Sequence, residues 1–278
     1  MGRVRDLLVI TDLDGTLLDE ATYEAGPARD ALLGLDAAGV GLVLASSKTR
    51  AEMEALAASL PGAPPVALVV ENGGALLRLL AGREPETTVL GAPHRALVAA
   101  LAEIAAESGA RLQGFSALAP GDLARLTGLG PHDVKYAQKR EYDEPFLVLE
   151  GDLGRLAAAA SRRGLRLHRG GRFFHLTGGS DKGRAVRVLL GLLAAEGRLF
   201  HTVGIGDAPN DLAFLEAVDE AILVPRPDGR VHEGLAHALP RARHAPAPGP
   251  AGWNAAVLDL LARRGRAPTV SVSGARTS

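Results

Sequence analysis

The sequence has no cysteine, which removes disulfides, thiolate metal sites and a cysteine nucleophile from consideration. Aromatic residues are scarce, at 4 % of the 278 residues, and there are only two methionines. Such a composition suits a heat-adapted chain, although compositional bias alone gives the same picture. Charge of one sign is not in excess: 31 Lys and Arg against 32 Asp and Glu leave a formal net charge of −1. That balance gives no overall electrostatic reason to bind nucleic acid or an anionic membrane. Long apolar runs are missing too. None approaches the roughly 18 residues needed to span a bilayer, and the run near the N-terminus is too short for a signal peptide. The expectation is a soluble, cytoplasmic protein without nucleic-acid or membrane partners. Its chemistry rests on carboxylates, hydroxyls, lysines and histidines, and its length suits two packed units.

Short β-prone runs alternate with helical patterns, the signature of an α/β fold with a parallel sheet covered by helices. Strands are expected at Leu7–Thr11, Gly41–Ala45, Ala67–Val70, His201–Ile205 and Ala221–Val224. Helices are expected over Pro27–Ala38, Thr49–Leu60, Lys182 to about Ala195, Asn210–Ala217 and Trp253–Arg263. Between the two halves the pattern changes. Amphipathic helices at Ala92–Ser108 and Asp152–Arg163 mix with short strands at Phe146–Glu150, Leu165–His168 and Arg172–Leu176. This predicts an inserted α+β unit, roughly residues 87–176, within a Rossmann-like core of residues 1–86 and 177–264, followed by a tail without periodicity.

The strongest chemical signal is Asp12-Leu13-Asp14-Gly15-Thr16, directly after an apolar strand. Catalytic groups in open α/β sheets collect beyond the carboxyl ends of strands. Two carboxylates one residue apart in a tight turn can divide the labour, one attacking phosphorus and the other exchanging a proton with the leaving oxygen. A lone D-x-D-G is commonly a surface turn; the apolar strand in front argues against that here. Ser46-Ser47 follows the second strand and offers hydroxyl and amide donors to phosphate, or simply caps the next helix. Lys182 opens a helix, where cation and helix terminus both favour an anion, although an isolated lysine there is usually just solvated. Gly206-Asp207-Ala208-Pro209-Asn210-Asp211 again follows an apolar strand. Its hard oxygen ligands suit Mg²⁺, while Pro209 near a first turn also suits an ordinary capped helix. Four such segments at successive strand ends make the functional reading the better one.

These residues resemble the four motifs of the haloacid dehalogenase superfamily of phosphotransferases. The resemblance implies Asp12 as nucleophile and Asp14 as general acid/base, with Ser46, Ser47 and Lys182 around the phosphoryl oxygens. It also implies Mg²⁺ held by Asp12, Asp207 and the backbone carbonyl of Asp14, with Asp211 orienting or ligating, and a type 2 cap between Ser46 and Lys182. Five segments, Ala45–Arg50, Glu71–Gly74, Gln138–Phe146, Gly170–Leu176 and Gly249–Asn254, resemble the mannosyl-3-phosphoglycerate phosphatase family more narrowly. Ser46-Ser47-Lys48 stands where many sugar-phosphatase relatives carry Thr-Gly-Arg. The implied reaction is hydrolysis of mannosyl-3-phosphoglycerate to mannosylglycerate, a compatible solute, and phosphate. A broader sugar-phosphate phosphatase, including the sucrose-phosphate type, and a sugar phosphomutase are the alternatives.

A substrate with a phosphate, a carboxylate and a sugar needs cations and neutral hydrogen-bonding groups. Arg140 and Arg172 offer planar forks for carboxylate. Gln138, Glu144 and His175 are expected at sugar hydroxyls, and Asn72, Gly73, Gly74 and Asn210 near the ligand. A surface or inter-unit role is the plain alternative for each. His94, His132, His201, His232 and His244 lack metal-site spacing and are expected in surface or structural roles.

Overall fold

The computed structural model describes residues 6–169 and 173–265. Arg172, with Gly170 and Gly171, lies outside the described residues, as does the chain after Gly265.

The first half of the chain supplies β1 (Asp6–Thr11), α1 (Arg29–Ala37), β2 (Gly41–Ala45), α2 (Arg50–Ser59), β3 (Ala67–Val70), β4 (Ala75–Arg78) and β5 (Glu86–Val89). There follow α3 (His94–Ser108), β6 (Arg111–Gly114), α4 (Pro120–Thr127), α5 (Pro131–Ala137), β7 (Asp143–Glu150), α6 (Leu153–Arg162), β8 (Arg166–Arg169) and β9 (Phe174–Thr177). The last third supplies α7 (Lys182–Ala195), β10 (Phe200–Gly206), α8 (Leu212–Leu215), β11 (Glu220–Leu223), α9 (Glu233–Ala238), β12 (Arg243–His244) and α10 (Gly249–Gly265).

Eight strands form one sheet in the order β12-β11-β10-β1-β2-β3-β4-β5. Pairing is parallel from β12 through β3, whereas β4 and β5 add antiparallel at one edge. The sequence reading did not foresee this hairpin, because β5, with burial pattern eeie, carries little apolar signal. Thr87 therefore stands in the larger sheet, and the smaller unit's own elements begin at His94. That unit is a fully antiparallel sheet in the order β6-β7-β9-β8.

Alternation along β1 explains the two layers of the core. Successive side chains of a strand point to opposite faces. Leu7 and Val9 pack into the layer of α1, α2 and α10, with Trp253, Val257 and Leu260. Leu8 and Ile10 pack against Val186, Leu189 and Phe214 of α7 and α8. Val9 and Ile10 are completely buried, each contributing about 1.5–3 kcal/mol. Among the described residues, no helix is long and apolar enough to cross a membrane.

The chain leaves β1 toward β2 on one side, and β10 flanks β1 on the other. Such a switch in strand order opens a crevice at the carboxyl ends. Asp12 follows β1 there and Asp207 follows β10.

Candidate active site

Asp12 stays in the ladder after β1, its N–H donating to the Ile205 carbonyl at 2.9 Å. Its side chain, only 8 % exposed, meets Lys182, whose Nζ lies 2.5 Å from Asp12 Oδ1 and 2.7 Å from Asp211 Oδ1. Lys182 reaches them from the first turn of α7, where the Asp181 side chain accepts the Arg184 N–H at 2.7 Å. Asp211 uses its other oxygen to accept the N–H groups of Asp207 and Ala208, at 3.1 and 3.0 Å, which folds the loop after β10. Thr16 donates its hydroxyl to Asp207 Oδ1 at 2.7 Å. Gly15 has a positive φ of 80°, and a Cβ there would sit 3.0 Å from Asp207 Oδ2. The turn after β1 therefore requires a glycine.

Asp12, Asp207 and Asp211 each offer an oxygen within 4.8 Å of the others. Burial, then Asp211, raise the Asp12 carboxyl to about 7 despite Lys182. Burial, then Asp12 and Asp211, push Asp207 well above the ordinary carboxylate range. Burial opposes the charge on Lys182, but Asp12 and Asp211 outweigh it and hold the ammonium above its usual value. One lysine is thus shared by a cluster with more negative charge than it neutralises. Hard oxygen donors under mutual repulsion are the setting that a small divalent cation fits.

The Asp14 carboxylate is not in this group. Its Oδ1 lies 2.8 Å from Lys48 Nζ, and Lys48 in turn sits over the Tyr23 ring at 4.8 Å. Burial would lower the Lys48 ammonium, and Asp14 and Glu52 more than reverse it. Lys48 is a site residue that sequence reasoning passed over. Its signal was the cation two positions after Ser46 in a segment already singled out.

A cavity of about 200 Å³ separates the larger sheet from the smaller unit, lined by Asp14, Ser47 and Lys48 on one side and Phe115, Arg140 and His175 on the other. A second cavity of about 450 Å³ adjoins it through Tyr23, Lys48, Glu52 and Leu129. Ser46 is buried, with its Oγ accepting the Lys48 N–H at 3.2 Å. Arg140 spans the two units, with Nη1 donating to the Ser47 carbonyl at 2.7 Å and the guanidinium over Phe115.

The structure places several expected ligand residues elsewhere. Glu144 is completely buried. Its Oε2 lies 2.5 Å from His94 Nε2, and its Oε1 accepts both the N–H and hydroxyl of Ser116. It joins α3 to β7 instead of facing a sugar. Gln138 caps the end of α5, half-buried beside Ala137, which does line the cavity. A Cβ on Gly73 would meet the Asp181 carbonyl at 2.2 Å, and one on Gly74 the Tyr142 Cβ at 2.3 Å. These two glycines permit close backbone packing. Asn72 donates to Asp143 Oδ2 at 3.0 Å and accepts from Asn210 at 3.3 Å, so Asn72 ties the units together while Asn210 braces it from the loop after β10. Glu71, also passed over, accepts the N–H groups of Glu141 and Tyr142. Burial raises its carboxyl to about 7 against the pull of Arg140.

No protein-family model matches the chain. A glucosyl-3-phosphoglycerate/mannosyl-3-phosphoglycerate phosphatase of Methanococcoides burtonii is 34 % identical over 269 residues, 92 % of this chain and 97 % of that protein. The protein of the same name from Persephonella marina is 32 % identical over 268 residues, 92 % of this chain and 97 % of its own. In structure, a phosphatase of the haloalkanoate (HAD) superfamily from Bacteroides thetaiotaomicron aligns with a TM-score of 0.65 at 17 % identity, over 94 % of this chain and 96 % of that one. The fold is that of the phosphatases of the haloalkanoate (HAD) superfamily. At the level of sequence, the chain belongs to the glucosyl-3-phosphoglycerate/mannosyl-3-phosphoglycerate phosphatase family.

Proposed function

We propose that this phosphatase hydrolyses mannosyl-3-phosphoglycerate to mannosylglycerate and phosphate, with Mg²⁺ and through a phosphoryl group carried on Asp12. The observation that carries the chemistry is the convergence of Asp12, Lys182 and Asp207 beside a cavity bearing Lys48 and Arg140. The names of the two relatives support the substrate. In this reading the product is a compatible solute, the enzyme is cytoplasmic, and the four-stranded unit is the cap over the site.

Asp12 Oδ attacks phosphorus, the bond to the glycerate oxygen breaks, and Asp14 gives that oxygen its proton. Asp14 then takes a proton from water, whose oxygen displaces Asp12 and leaves inorganic phosphate. Lys182, with Ser46 and Ser47 nearby, offsets charge on the phosphoryl oxygens. Asp12, Asp207 and the Asp14 carbonyl would hold the cation, with Asp211 fixing the loop, and Mg²⁺ when bound supplies charge neutralisation at the transferring phosphoryl group. Lys48 keeps the Asp14 carboxylate turned to the cavity. Arg140 and Lys48, which line that cavity, would offer cations to a glycerate carboxylate.

The test is phosphate release with Mg²⁺ from mannosyl-3-phosphoglycerate beside glucosyl-3-phosphoglycerate, sucrose 6-phosphate, mannose 6-phosphate and free 3-phosphoglycerate. Preference for the two glycosyl-3-phosphoglycerates is expected. Equal activity across simple sugar phosphates would withdraw the substrate, and an isomerised product without free phosphate would withdraw hydrolysis.

A further inference from the structure

One buried pair is not used by the chemistry at Asp12. Asp143, at the start of β7, is wholly buried, and across the antiparallel pairing its neighbours on β9 include His175. Its Oδ2 lies 2.7 Å from His175 Nδ1, accepts the Asn72 side-chain amide at 3.0 Å and stands 3.8 Å from Arg140 Nη1. Its Oδ1 has no hydrogen-bond partner among the described residues. Burial would raise this carboxyl, but His175, Arg140 and Asn72 hold it below its ordinary value. It is therefore a carboxylate, which only accepts hydrogen bonds.

That fixes the ring. The proton between the two groups belongs to His175 Nδ1, so in the neutral imidazole Nε2 is the acceptor. His175 lines the cavity between the units, opposite Asp14 and Lys48 in its wall. An acceptor backed by a buried carboxylate repels an anion and suits a hydroxyl donor. The anionic parts of a phosphorylated acid have Lys182, Lys48 and Arg140 instead.

Resting on the substrate reading above, we propose that Asp143 is a positioning residue that holds His175 with Nε2 as an acceptor toward the cavity, and that His175 reads a hydroxyl of the glycosyl group. Phe115 and Pro145 in the same wall supply apolar surface for the sugar ring. Asn72, through its bond to Asn210 on the loop carrying Asp207, joins this subsite to the catalytic loop. The pair thus sets which leaving group is accepted, and Asp12 and Asp14 set what is done to it.

The experiment compares kcat and KM for mannosyl-3-phosphoglycerate with those for p-nitrophenyl phosphate, which has no sugar, in wild type, His175→Ala, His175→Gln and Asp143→Asn. The kcat/KM ratio of the glycosyl compound over p-nitrophenyl phosphate is expected to fall roughly tenfold or more in His175→Ala, chiefly through KM. His175→Gln keeps an acceptor and should recover part of the ratio. Asp143→Asn, which lets an amide donate to Nδ1 and moves the ring proton to Nε2, should lower the ratio in the same direction. If Asp143→Asn fails to fold, the two His175 variants decide alone. A ratio unchanged in His175→Ala, with both substrates equally impaired, overturns the proposal and leaves the phosphatase assignment intact. Wild-type enzyme active on p-nitrophenyl phosphate but on no glycosyl compound overturns both the substrate reading and this one.

Discussion

The two sheets place their charged residues in opposite ways. In the eight-stranded sheet, charges from distant stretches of sequence meet at strand ends and are left under-compensated: one buried lysine serves Asp12 and Asp211, with Asp207 beside them. In the four-stranded unit, buried charges are paired off within the unit itself. Glu144 has His94, and Asp143 has His175 and Arg140. Surplus negative charge in a buried site stores an electrostatic asymmetry that a bound cation relieves. Neutralised pairs instead fix geometry and shape. On the proposed reading, chemistry and selection are thus separated between the two regions.

The largest effect is expected at the nucleophile. Asp12→Asn keeps the shape and the hydrogen bond to Lys182 but removes the attacking charge, so phosphate release should fall by ~10⁴-fold or more with little change in melting temperature. Turnover near wild type in Mg²⁺ would end the proposed mechanism. Next is Lys182→Met. It leaves Asp12 and Asp211 buried without their shared cation, and breaking such a pair costs about 3–5 kcal/mol. Urea unfolding should show that loss, and added Mg²⁺ should recover part of it because the cation offsets the same charge. A loss that Mg²⁺ does not touch would mean that the acidic cluster is not the cation site.

The contrast between the regions also decided what could be read from the sequence. Asp12, Asp14, Lys182 and Asp207 were legible because each stands within three residues of the end of an apolar strand or the start of a helix, and strand ends in a parallel sheet converge by topology. The smaller unit offers no such rule. Whether Glu144 faces a sugar or His94 depends on the side β7 turns toward α3, and α3 lies 50 residues earlier. A slip of one residue reverses the faces of a strand, so the residue list there could not be settled by pattern. The hairpin of β4 and β5 was missed for a related reason: an exposed edge strand carries no hydrophobic period. Glu71 and Gly73 stood in a segment noticed for its likeness to relatives, yet their role comes from a backbone approach that no local pattern encodes. A Cβ on Gly73 would meet Asp181, more than 100 positions later.

Glu71 tests the seam between the regions through pH. Its carboxyl is raised from 4.5 to about 7, with burial the leading cause. The native state therefore keeps a proton that the unfolded chain has lost within that window. Unfolding releases it, so this contribution is fully present below 4.5 and is lost as pH rises toward about 7. In Glu71→Gln the term is absent. Unfolding free energies from pH 4 to 8 should show wild type losing on the order of 3 kcal/mol relative to the variant. Parallel curves would mean that Glu71 is charged in the native state throughout, and that the seam is held by an ion.

The smallest effect is expected at Thr49, where one side chain serves both regions. Its hydroxyl oxygen accepts the Glu52 N–H at 3.2 Å, within a capping box that starts α2, and its proton goes to the Tyr136 carbonyl of α5 at 2.9 Å. Thr49→Ala loses both bonds, whereas Thr49→Ser keeps both. Loss of a cap costs about 1 kcal/mol, and the second bond adds a comparable net amount. If the smaller unit moves against the core during turnover, only the cap term should appear in global unfolding. In Thr49→Ala the lost Tyr136 bond should instead appear as amide exchange accelerated more in α5 than in α2, whereas Thr49→Ser should leave both helices protected as in wild type. Equal acceleration in α2 and α5 on Thr49→Ala, together with the full sum in unfolding, would show that the two regions open as a single cooperative unit.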